Sequence, residues 1–91
     1  MKDAEKKTEN PERKRRREQL FMEAPVVTIV GQYQVQIENY DFLSSLQNNE
    51  IQVQGKTCLL VISGERLIVE YYSGDAMKIS GKICSLSYRE V

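Results

Sequence analysis

"VISGERLIVEYYSGDAMKISGKICSLSY", residues 61–88, decides how this chain folds. Ile-Ser-Gly occurs in it twice, at 62–64 and at 79–81, and an alternating apolar run follows each copy. In the first run Leu67, Val69 and Tyr71 alternate with Arg66, Ile68, Glu70 and Tyr72. In the second, Cys84, Leu86 and Tyr88 alternate with Ile83, Ser85 and Ser87. A period of two is that of strands with one buried and one wet face. A lone glycine between two such runs is the grammar of a hairpin. Gly64 and Gly81 are therefore expected at strand-to-strand turns, as is the "SGDA" of residues 73–76. "SGK" at 80–82 also ends like a phosphate-binding loop. That chemistry needs a glycine five residues earlier, where Ala76 stands, and a following helix whose N-terminal amides converge on the anion. Neither is present, so the turn is preferred.

The same alternation extends outward. "YQVQIENY" (33–40) sets Val35 and Ile37 against Gln34, Gln36 and Glu38, and "EIQVQG" (50–55) sets Ile51 and Val53 against Gln52 and Gln54. "AMKIS" sets Met77 and Ile79 against Lys78. "TCLLVI" (57–62) is apolar on both faces, as in a central or covered strand. "QNNE" (47–50) is a turn. The expected fold is all-β: a small antiparallel meander of seven or eight short strands, whether a rolled sheet, an open barrel or two layers, preceded by a short basic N-terminal helix. The local pattern around Gly31, Gly55, Gly64 and Gly81 is a weak internal repeat, too irregular in spacing for a solenoid. Leu59, Val61, Ile68 and Tyr72 lie on second faces and are the candidates for a sheet-face contact.

The chain has 91 residues and carries 13 basic and 13 acidic groups. They are unevenly placed. Residues 1–24 hold 8 basic and 6 acidic side chains, and residues 25–91 hold 5 and 7. The expected division is a charged arm (1–24) and a β domain (25–91). "ENPERKRRREQLFME" (9–23) suits a helix with Asn10 as N-cap, Pro11 at the first position and Pro25 as its stop. Residues 1–9 are expected to be disordered. The run Arg13, Lys14, Arg15, Arg16 and Arg17 is a candidate contact for a partner, an anionic membrane surface or nucleic acid. Interspersed glutamates dilute its field, and the body is acidic, which favours a solvated helix over a nucleic-acid site. Five tyrosines could stack bases, but Tyr71 and Tyr88 fall in phase with the core.

The sequence contains no histidine, so no histidine-based triad, acid–base pair or metal site can be built. Cys58 and Cys84 are expected to be buried thiols rather than a disulfide. No apolar run reaches the roughly 20 residues of a membrane span, and no apolar signal segment opens the chain. A cytoplasmic protein without enzymatic activity, cofactor or metal is expected.

The body resembles the YabP/YqfC family of sporulation proteins. The resemblance is carried by "VVTIVGQYQVQIENY" (26–40), "EIQVQGKTCLLVISGERLIVEYY" (50–72) and "MKISGKICSLSY" (77–88). "IEN" at 37–39 is closer to the YqfC branch. Thr57 and Cys58 stand where a glycine is often found in the family, and "NYDFLSSLQNN" (39–49) varies. The resemblance implies a small protein of endospore-forming Firmicutes, made in the mother cell during sporulation. It implies no catalytic residues, and a partner of the YqfD membrane-protein type. The expected function is a β interaction and assembly module, cytoplasmic or peripheral to a membrane. The alternative is a nucleic-acid-binding module using the basic arm. A homo-oligomer is compatible with both.

Overall fold

The computed structural model describes residues 11–13 and 22–90. Helical backbone is present at 11–13 and 22–23. The rest of the expected helix, with Lys14, Arg15, Arg16 and Arg17, lies outside the described residues, as does the expected disorder of residues 1–9.

Six strands follow: β1 (Val26–Val30), β2 (Gln34–Glu38), β3 (Phe42–Leu46), β4 (Glu50–Gln54), β5 (Leu59–Tyr72) and β6 (Ala76–Arg89). They form one antiparallel sheet in the order β1-β2-β6-β5-β4-β3. The sheet does not close, because β1 and β3 pair on one side only. The strand count is below the expected seven or eight for one reason. Gly64 and Gly81 are not turns. Each sits inside a 14-residue strand, and β5 and β6 run straight through the two Ile-Ser-Gly copies. The turns at "SGDA" and "QNNE" stand where expected, closed by Ser73 N–H to Ala76 O and Gln47 N–H to Glu50 O.

The two glycines kink the long hairpin where it would otherwise be straight. The register of β5 and β6 shifts at Ser63/Gly64 and again between Glu65 and Ile68. A side chain at Gly64 would run into the Lys82 carbonyl. At Gly81, φ is +137°, and a Cβ would stand 2.6 Å from the Arg66 carbonyl. Only glycine tolerates both the conformation and the approach. Arg66 itself has a left-handed backbone, φ 55°, as expected of a residue in a bulge. Each kink is pinned by a loop from another hairpin. Gly64 N–H and Leu67 N–H donate to Asn49 O and Asn48 O, while Gly81 N–H and Ile83 N–H donate to Tyr33 O and Gln32 O.

Bending brings the two halves of the sheet onto one core. Val35 and Ile37 of β2 and Ile51 and Val53 of β4 have no exposed surface and share one apolar cluster. Yet β2 and β4 are three places apart in the sheet order, roughly 14 Å in a flat sheet. A flat single sheet would leave that face wet, so side chains with no exposed surface on both strands require the sheet to fold over on itself. Leu60, Ile62, Met77 and Ile79 complete the fully buried set.

The repeat in the sequence is a repeat in the pairing. One unit is β1, β2 and the first half of β6. The other is β3, β4 and the first half of β5. Across the first run the core-side rows Ile29–Val35–Ile79–Val69 and Val27–Ile37–Met77–Tyr72. Across the second run Leu46–Ile51–Ile62–Leu86 and Leu43–Val53–Leu60–Tyr88. Ile79-Ser80-Gly81 and Ile62-Ser63-Gly64 occupy the same place in each.

Candidate functional site

The two units differ most where their outer edges meet the neighbouring layer. Where the edge of β3 meets the end of the first unit's Met77–Tyr72 row, that region is closed by Tyr40, which lies in the link between β2 and β3. Tyr40 is buried. Its hydroxyl donates toward the carbonyls of Ser73 at 2.5 Å and Ala76 at 3.1 Å, tying the link to the β5–β6 turn. Burial raises its pKa above the usual tyrosine value, with Tyr72 and Asp75 adding to the effect and the bond to Ser73 opposing it. Tyr72 stacks on it with ring centroids 5.9 Å apart, and the Tyr72 hydroxyl accepts the Leu43 N–H at 3.1 Å. Asn39, at φ 62°, donates its side-chain amide to Met22 O and Ala24 O, and Asp41 pairs with Lys56 at 2.9 Å. Much of the "NYD" link is therefore held by hydrogen bonds.

The corresponding positions at the end of the second unit's row and on β1 are uncovered. Tyr88 takes the place of Tyr72, yet it is 65% exposed. Ile29 continues the core row of Val35 and Ile79 and is 57% exposed, as is Leu46 at the equivalent place on β3, and Val26 and Val30 of the same strand are exposed as well. Strand β1 is Val-Val-Thr-Ile-Val, with no charge, proline or bulge within it, and it pairs with β2 alone. An apolar strand with one free edge can accept another strand.

The side chains singled out from sequence fall in different places. Arg13 is exposed. Leu59 is half-buried and flanks Arg89 and Gln54. Val61 is only 3% exposed and lies on the interior strand β5, paired with Gln52 of β4 and Ser87 of β6. Ile68 is 58% exposed and points outward beside Ser80. Tyr72 is half exposed but turns to the core side. A register shift between Val69 and Tyr71 reverses the alternation there, so Tyr71, expected to face the core, faces solvent instead. Tyr88 departs from the same expectation because it stands at the exposed end of a row whose inner members, Val53 and Leu60, are buried. Both cysteines are free thiols, but Cys84 is exposed and Cys58 half-buried, not buried as expected. The β1 edge and the Tyr40 link were not singled out from sequence. The signal for the first was present in the uncharged, β-branched "VVTIV" after Pro25.

An open groove of about 430 Å³ lies at the bend, lined by Gln32, Tyr33, Glu65, Arg66, Gly81 and Lys82. It is flanked by strands, and its cations are exposed. Among the described residues no three His, Cys, Asp or Glu side chains cluster to hold a metal ion, and no helix is long and apolar enough to cross a membrane.

These features define a small antiparallel β domain, built from a repeated three-stranded unit bent over its own core, with one edge closed and one open. The chain belongs to the YabP family, whose model matches residues 23–91, the whole β domain and the turn that leads into it. The match is to the family as a whole and does not separate the YqfC branch from the rest. No curated protein and no solved structure matches the chain. Family membership points to a sporulation-related protein.

Proposed function

We propose that the chain is a non-enzymatic assembly protein of sporulation, acting in the mother cell as a β interaction module. The observation that supports this reading is the free, uncharged β1 edge on a domain of the YabP family. A strand edge recognises a partner through backbone hydrogen bonds and alternate side chains, which requires no catalytic group. The basic run of residues 13–17 supplies an electrostatic contact to the same assembly or to the adjacent anionic membrane, with a YqfD-type membrane protein as the candidate partner.

Deleting the gene in its host tests the role. A fall in heat-resistant spores, restored by the intact gene, is the expected outcome. Normal spore yield with normal heat resistance removes the proposal. Affinity capture from sporulating cells then identifies the partner. Steeply salt-dependent retention of nucleic acid by the purified chain, lost on removing residues 1–19, would transfer the reading to nucleic-acid binding.

A further inference from the structure

We propose that two copies of this chain pair through β1, antiparallel, about a two-fold axis at Thr28. The inference deepens the interaction reading by naming a second copy of the chain as the strand that the β1 edge takes, and it does not depend on the sporulation role.

The two edge strands of the sheet have equivalent places in the repeat, and they are treated differently. Strand β3 is blunted. A bulge interrupts it between Leu43 and Ser45, the Leu43 N–H is already donated to Tyr72, and the Asp41–Lys56 ion pair stands at its start. Bulges, occupied donors and charges are the ordinary protections of a sheet edge. Strand β1 has none of them: all five residues are β-branched and uncharged, and Val26, Ile29 and Val30 are exposed.

The occupant that fits this edge best is its own copy. An antiparallel register centred on Thr28 uses all five residues, pairing Val26 with Val30, Val27 with Ile29, and Thr28 with Thr28 of the second copy. Ile29, uncovered at the end of the row Ile29–Val35–Ile79, then meets Val27, the end of the row Val27–Ile37–Met77. Two core rows become continuous across the axis. The opposite face gains Val26 against Val30 and a Thr–Thr pair, a favourable cross-strand combination. Charge also permits it. The next strand, β2, carries only Glu38, opposite Val26, so the two-fold places the two Glu38 side chains at opposite ends of the interface. The same patch serves both copies, so the contact closes at a dimer rather than a filament.

Sedimentation velocity of the purified full chain, from about 1 to 100 µM, tests this. A concentration-dependent dimer is expected. Thr28→Lys, which sets two like charges directly opposite on the axis, and Ile29→Lys, which sets a charge against the apolar Val27 of the second copy, should each weaken it by about 100-fold or more. Leu46→Lys, at the equivalent place on β3, should leave it unchanged. Thr28→Lys keeps the test valid if Ile29→Lys fails to fold, because Thr28 is already exposed. The register is read separately, in a Cys58→Ser, Cys84→Ser background. There Thr28→Cys should oxidise to a covalent dimer faster than Leu46→Cys. A wild-type monomer throughout the range, an open-ended polymer, or a dimer indifferent to both lysines but lost with Leu46→Lys would overturn the proposal. So would equal oxidation rates for the two cysteine variants.

Discussion

The unit of β1, β2 and the first half of β6 and the unit of β3, β4 and the first half of β5 share a pairing pattern and differ at the rim. At the end of the first unit's Met77–Tyr72 row, Tyr72 is stacked on Tyr40 and accepts a backbone donor from Leu43 of β3. At the end of the second unit's Leu60–Tyr88 row, the equivalent Tyr88 stands in solvent. The difference arises from one connection. The link from β2 to β3 passes over one seam and carries Tyr40 into it. Repetition builds the core, and the departure from repetition decides which edge remains available. A binding edge can therefore arise in such a fold without new machinery, by leaving one of two equivalent rims uncovered.

The comparison breaks most completely at the bend, because both units depend on it. Gly81→Val must place a branched side chain at φ +137° against the Arg66 carbonyl, and Gly64→Val must displace the Lys82 backbone. Each variant should lose roughly 3 kcal/mol or more, enough to unfold a domain of this size, as measured by urea titration followed by circular dichroism. Gly74→Ala is the control. Nothing lies within 4 Å of its Cβ position, so its change should stay within about 0.5 kcal/mol. If Gly64 and Gly81 tolerated valine as well as Gly74 tolerates alanine, the bend would not be what joins the two halves.

A sharper form uses equivalent core positions. Ile62 and Ile79 are both fully buried and both precede Ser-Gly. Ile62→Ala and Ile79→Ala should each cost about 2–5 kcal/mol, and the two values should agree within about 1 kcal/mol if the units pack alike. A large inequality, measured in the same denaturant series, would mean that one unit carries the fold and the other leans on it.

The alternation of Val35/Ile37, Ile51/Val53 and Met77/Ile79 was legible in the sequence, and those residues are the core. Sequence also located the turns at 47–50 and 73–76. It did not reveal that Gly64 and Gly81 lie inside strands. A glycine between two alternating runs has the same local pattern whether the chain reverses or bends, and the choice is made by distant atoms, the Lys82 and Arg66 carbonyls. The reversal of phase between Val69 and Tyr71 is hidden for a similar reason, since a bulge adds one residue without a signature of its own. Exposure of Cys84 and Tyr88 was missed because alternation says which face a residue takes, not whether anything lies over that face. The edge strand was the reverse case: "VVTIV" displayed its character openly, but only the sheet order shows that its outer side is unpaired.

The smallest effect distinguishes the closed rim from the open one by its titration. Tyr40→Phe keeps the ring and the stacking on Tyr72 and removes the donor to Ser73 and Ala76, so a loss of about 1 kcal/mol is expected at neutral pH. Tyr88→Phe, exposed, should be neutral. The pH dependence follows from the raised pKa of Tyr40, whose chief cause is burial. Folding holds the phenol in its protonated form, whereas the unfolded chain releases the proton near the ordinary value of 10.0. Above that value the folded state retains more protons than the unfolded one, so stability must fall as pH rises through the folded pKa. Below pH 10 the contribution is fully present. Urea midpoints between pH 8 and 11 should therefore decline less steeply for Tyr40→Phe than for wild type. Parallel slopes for the two would show that the Tyr40 phenol ionises as freely in the folded domain as outside it, and the closed rim would lose its chemical distinction.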